Sequence, residues 1–312
     1  MLADPPRPRS RAPRLALRSA VLAYLALVLV LPVGAVVWRT LGSGVATVWQ
    51  SITTPDALHA LYLTILVAVI AVPLNTLFGL ACAVVLVRQR FPGRRLLDAV
   101  VDLPFAVSPA VIGLALILVY GERGWFGGWL TERGIPVIFS LPGMVLATVF
   151  VSLPYVVREV TPVLREVGEE QEEAARTLGT SPLGAFLRVT LPSIRWGLAY
   201  GVTLTTARAL GEFGAVAIVS GRLVGQTETL TLFVENRFES FDQAGAYGGA
   251  LVLAALALLV LLGMTRLRHA RGVPRPERRS RIRGARHFGS LSARVLQARH
   301  RHMTGAPGKE NR

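Results

Sequence analysis

The sequence predicts an all-α membrane protein with six transmembrane helices, and three observations carry that prediction. Hydrophobic residues are 52% of the 312, yet the formal net charge is +15. Mean hydropathy is +0.49. A chain both this apolar and this basic must keep the two properties apart along its length. It does so: five runs of about 20 residues carry no charge, a sixth holds one Arg and one Glu, and the arginines gather between alternate runs. This pattern excludes a water-soluble enzyme, a disordered chain and a secreted disulfide scaffold. The single cysteine, Cys82, allows neither an intrachain disulfide nor a cysteine-based metal site.

A bilayer core of ~30 Å needs about 20 apolar helical residues at ~1.5 Å each. Residues 1–18 read as a basic cytoplasmic lead with five Arg. The first span covers 19–37; it is too long for a cleaved signal peptide and no small-residue cleavage site follows it cleanly. The second covers 61–87, with Asn75 beside Pro73 placed to hydrogen-bond a neighbouring helix. The third, 103–120, is interrupted by Ser108 and Pro109, where a freed backbone group or the Ser108 hydroxyl could face a pore. The fourth covers 135–157. The fifth, 196–220, contains Arg208 and Glu212, and the sixth covers 244–265. Gly245, Gly248 and Gly249 in the sixth read as a close helix contact. Pro32, Pro73, Pro109, Pro142 and Pro154 lie inside runs, where packed membrane helices accommodate kinks. With the N-terminus inside, 28 of the 34 basic residues fall on the cytoplasmic side and five on the other, so both termini are expected inside. Residues 267–312 read as a basic, disordered tail near anionic headgroups, without a nucleic-acid motif.

Lys309 is the one lysine, flanked by Gly308 and Glu310 in the tail. A phosphate-binding loop needs Gly-x4-Gly-Lys-Ser/Thr, so the sequence offers no nucleotide site of its own.

The segment between the fourth and fifth spans is the most informative. It runs Glu169-Glu170-Gln171-Glu172-Glu173-Ala174-Ala175-Arg176-Thr177-Leu178-Gly179 and continues to Val189-Thr190-Leu191-Pro192. Acidic residues suit a helix N-terminus, where backbone N–H groups are unpaired. Ala174 and Ala175 permit close approach by another protein, and Gly179 can take the positive φ that ends a helix. Ser181 then serves as N-cap of a second helix with Pro182 at its first position. The result is a helix–turn–helix elbow over 169–192.

The spacing Glu-Ala-Ala-x3-Gly-x9-aliphatic-x-Leu-Pro resembles the EAA loop of ABC importer permeases, with Val189 where that family usually has Ile. The resemblance implies a type I ABC importer permease fold: a six-helix domain over 19–266 whose elbow is a coupling helix docking on a separate ATPase. Glu172, Glu173, Ala174, Ala175, Leu178, Gly179, Ser181 and Pro182 are then the coupling residues. Within that family, Asp102-Leu103-Pro104-Phe105-Ala106-Val107-Ser108-Pro109, Gly124-Trp125-Phe126-Gly127, the stretch from Ala207 to Val216, Gly221-Arg222 and the stretch from Gln226 to Leu232 are similar to W-type permeases of sulfate/thiosulfate importers. The likeness covers about residues 55–265. Molybdate permeases share much of the fifth-span motif and are typically shorter, so the oxyanion stays open between sulfate, thiosulfate and molybdate. The resemblance implies a non-catalytic membrane subunit with no cofactor of its own. Its expected partners are a T-type sister permease, two ATP-binding subunits carrying ATP and Mg, an external sulfate-binding protein, and lipid of the bacterial cytoplasmic membrane. A secondary transporter would share the spans but has no use for the EAA spacing, and no catalytic constellation at membrane depth supports an intramembrane enzyme.

Arg208 and Glu212 sit four apart, on one helix face. An ionised group at membrane depth costs at least ~2.5–3.5 kcal/mol and so faces protein or water. Either the two neutralise each other and fix helix packing, or Arg208 lines the anion path with Glu212 as its holder. Ser108 is the third candidate for that path.

Overall fold

The computed structural model describes residues 12–42 and 44–270, with side chains over 16–42 and 44–266. The outer parts of the basic lead and tail, 1–11 and 271–312, lie outside them. No strand occurs among the described residues. Helices α1 (Ala12–Leu25) and α2 (Leu31–Gly42) form one rod through a π-helical turn at Ala26–Val30. Then come α3 (Val45–Ile52), α4 (Pro55–Arg88), α5 (Arg94–Ala106), α6 (Pro109–Tyr120), α7 (Gly127–Thr131) and α8 (Leu141–Val167). The elbow follows as α9 (Glu170–Thr177) and α10 (Pro182–Ala185), and a second π-helical turn at Phe186–Thr190 leads into α11 (Leu191–Leu210). Helices α12 (Gly214–Val219), α13 (Leu230–Glu239) and α14 (Gln243–Ala270) complete the described chain.

Both π-helical turns precede a Leu-Pro pair, Leu31-Pro32 and Leu191-Pro192. Leu31 N–H bonds Ala26 C=O and Leu191 N–H bonds Phe186 C=O, five residues back in each case. Proline has no N–H, and its ring collides with the carbonyl four residues earlier. Widening the turn relieves that collision without breaking the rod. Pro73 and Pro154 are instead carried inside the continuous helices α4 and α8.

Among the described residues, four helices are long and apolar enough to cross a membrane: Ala16–Gly42, Pro55–Arg88, Leu141–Val167 and Gln243–Arg266. The pair α5 and α6 makes a fifth if counted as one bent span. Two expected spans differ from the sequence reading. The third is not one rod over 103–120, because α5 and α6 meet at 115° around Val107 and Ser108. The residue before a proline is pushed out of the helical region, and Ser108 accordingly takes φ −59°, ψ 135° ahead of Pro109. The fifth is divided between α11 and α12, with Gly211, Glu212 and Phe213 between them.

Helix α4 is the axis of the packing. Its Leu63 and Val67 join one cluster with Ile112, Met144, Val151, Val216 and Leu232. Its Ala83 and Leu86 join another with Val101, Val156, Val160 and Ile194. Asn75 is fully buried and donates from Nδ2 to Ser152 Oγ at 2.8 Å, the interhelical bond expected of it. The approach of α4 to α8 depends on Gly79, where an added Cβ would lie 2.8 Å from Val156 Cβ. Gly79→Leu is therefore expected to cost about 1–3 kcal/mol through overpacking, read as a lower thermal midpoint of the detergent-solubilised protein. At the other end, Gly248 meets Ile52 and Gly249 meets Val234 at similarly short range, so α14 does use its glycines for close packing.

Candidate functional site

The elbow is built locally. Three glutamates fill the first turn of α9. Gly179 ends it at φ +84°, with its N–H on Arg176 C=O at 2.9 Å and Thr180 N–H on Ala175 C=O at 3.1 Å. Ser181 caps α10 by accepting Gly184 N–H at 3.2 Å, and Pro182 follows it.

Exposure divides the eight expected coupling residues into two sets. Glu173, Ala174, Leu178, Gly179, Ser181 and Pro182 face outward. Leu178 is 86% exposed, and Leu183 and Leu187 add to the same apolar exposure. Glu172 and Ala175 are half-buried. Glu172 accepts from Arg88 Nη2 at 3.1 Å and from the Thr190 hydroxyl, with Arg176 Nη2 3.8 Å away. It therefore binds the elbow to its own chain, in contrast to the outward-facing set.

The second region lies where two broken helices meet. A Cβ at Gly214, the first residue of α12, would stand 2.9 Å from Pro109 Cβ, the first residue of α6. A Cβ at Gly113 would stand 2.7 Å from Ile218 Cβ. The break at Ser108 thus adjoins the break at 211–213. Arg208 Nη1 lies 2.6 Å from Glu212 Oε2 as an ion pair outside hydrogen-bond angles. Glu212 Oε1 accepts Ala215 N–H at 2.9 Å, which caps α12, and its backbone carbonyl accepts the Thr231 hydroxyl at 2.9 Å. The Glu212 side chain is 2% exposed and that of Arg208 27%. Glu212 is thus the covered member of the pair and Arg208 the more open one. Ser108 is exposed, and its hydroxyl makes no capping bond.

Two arginines that the sequence reading left aside organise these regions. Arg158 donates from Nε to Asp102 at 2.6 Å and pairs with Asp98 at 2.9 Å, tying α5 to α8. Arg88 reaches the elbow from the end of α4. Their partners lie 56 and 84 residues away, so no local spacing signals either one.

Comparison with known proteins follows the same outline. The family model described as "binding-protein-dependent transport system inner membrane component" matches residues 75–271. The sulfate transport system permease protein CysW of Synechocystis sp. is 54% identical over 239 residues, covering 77% of this chain and 87% of that one. The sulfate transport system permease protein CysT of Escherichia coli is 42% identical over 246 residues, covering 79% and 89%. A bacterial alginate ABC transporter, solved with its alginate pentasaccharide-bound periplasmic protein, matches at TM-score 0.68 with 12% identity, covering 82% and 94%, and so shares the fold.

Proposed function

The chain belongs to the binding-protein-dependent transport system inner membrane components, and from that premise we propose that it is the W-type permease subunit of an ATP-driven sulfate importer. The observation that carries the reading is the elbow, which turns an apolar, solvent-facing knob around Leu178 and Leu183 outward while Glu172 holds its inner side. A membrane-spanning chain leaves such a knob exposed when another protein covers it. That protein is an ATP-binding subunit, one of two, carrying ATP and Mg. The likeness to sulfate permeases over most of the chain supplies the substrate, sulfate or its relative thiosulfate.

In this reading a T-type sister subunit completes the path, and a sulfate-binding protein delivers the anion to the external side. The first span leaves its apolar window uncovered by the rest of this chain, a surface suited to the sister subunit and to lipid. The arginine distribution supports a topology with both termini and the elbow on the cytoplasmic side of the inner membrane. ATP binding moves the elbow and biases the pore between its two openings, because each state binds its ligands differently. At the helix breaks, Arg208 offers positive charge to a dianion while Glu212 fixes its position, and the Ser108 hydroxyl is free to donate.

The test is uptake of radiolabelled sulfate in cells lacking this gene and again after its return. Uptake is expected to disappear and recover, with thiosulfate competing and molybdate competing weakly. Unchanged uptake in the deletion, or inhibition by molybdate alone, would overturn the assignment.

A further inference from the structure

The Arg88 guanidinium stands where three segments converge. Its Nη2 donates to Gly168 C=O at 2.6 Å, at the cap of α8, and to Glu172 Oε1 at 3.1 Å, in the first turn of α9. Its Nη1 pairs with Glu169 at 3.4 Å. Glu172 in turn accepts the Thr190 hydroxyl at the entrance to α11. The side chains of Arg88 and Glu172 are each only 12% exposed. One largely covered charge pair therefore joins the end of α4 to α9 and to the π-helical turn that follows α10. Arg suits this place because its fork presents several fixed donors at once.

Helix α4 runs for 34 residues, about 50 Å at 1.5 Å per residue. Its far end is also tied: Thr64 Oγ1 accepts Leu230 N–H, at the start of α13, at 2.8 Å, with the partly exposed Arg237 and Asp56 a looser 3.7 Å apart. A helix held at both ends transmits displacement along its axis better than one held by apolar packing alone. Apolar contacts slide, whereas a hydrogen-bonded charge pair fixes distance and direction.

We propose that Arg88 is a positioning residue of the transport cycle: it locks the elbow to α4, so that movement of the elbow is delivered through α4 to the α13 side of the membrane. The proposal rests on the elbow being the site where the ATP-binding subunit docks.

The experiment uses the complete transporter in proteoliposomes, with the sister permease, the ATP-binding subunits and the sulfate-binding protein, and reads sulfate imported per ATP hydrolysed. Arg88→Gln is expected to retain its ATP-binding subunits on purification and to lower that ratio about fivefold or more, the low end of a typical coupling between sites. Arg88→Lys keeps the charge and is expected to recover part of it. A merely structural role would lower yield and thermal midpoint but leave the ratio of assembled complexes unchanged, and that result overturns the proposal. If Arg88→Gln does not assemble, Glu172→Gln decides the matter. It keeps side-chain size and an acceptor for Thr190 while removing the charge Arg88 engages, and a wild-type ratio there also overturns the proposal. A Leu178→Glu control separates the two levels. If it keeps its ATP-binding subunits and transports normally, the docking reading fails and the proposal falls with it. If it releases them while the Arg88 variants keep a wild-type ratio, the proposal alone falls.

Discussion

Replacing Gly179 by valine is expected to abolish most sulfate uptake while leaving membrane insertion intact. The residue sits at φ +84° with nothing within 4 Å of an added Cβ, so space is not the obstacle. The obstacle is the backbone. A left-handed conformation costs a non-glycine residue roughly 1–2 kcal/mol, and a β-branched one is a genuine outlier there. A penalty of that size lowers the population of the native turn about five- to thirtyfold. Asn tolerates the left-handed region, so Gly179→Asn is expected to keep most uptake and Gly179→Ala to fall between. Co-purification of the ATP-binding subunit should follow the same order. Equal uptake in Val and Asn variants would show that the turn does not govern coupling.

The second large effect is expected at Glu212. Glu212→Leu strands Arg208 in a largely covered site and removes the acceptor that caps α12. Removing one partner of a buried pair typically costs about 3–5 kcal/mol. The 27% exposure of the Arg208 side chain moves the expectation toward the lower end. The single variant should therefore assemble poorly. The informative change is Arg208→Leu together with Glu212→Gln, which removes both charges and keeps an oxygen for Ala215 N–H. If the pair serves packing only, this double variant assembles and transports nearly as the parent does. If Arg208 draws the anion, it assembles and loses uptake. Restored transport in a well-assembled double variant would reassign Arg208 to packing.

The turn and caps of the elbow were legible in the sequence to the residue. Its Gly179 turn, Ser181 cap and Pro182 start are local devices, each fixed by the φ or hydrogen bond that one residue type supplies. Asn75 was legible in kind, because a buried amide in an apolar helix needs an interhelical partner, although Ser152 could not be named. The inward turn of Glu172 was not legible. Four glutamates in five residues look alike until the end of α4 arrives beside one of them.

The sequence by itself determined the class of protein, its apolar runs, the arginine asymmetry and the elbow. These follow from composition, helical rise and backbone preference, which act over a few residues or a single helix. The tertiary structure alone decided three things. It set the 115° angle at the Ser108–Pro109 break that the sequence marks, placed the broken ends of α6 and α12 against each other, and delivered Arg88 and Arg158 to carboxylates far along the chain. An ion pair needs its partners within 4 Å in space, and separation along the chain places no limit on which carboxylate an arginine meets once helices pack. Those choices rest on side-chain volumes at helix crossings, such as Gly214 on Pro109, which no window of local sequence contains.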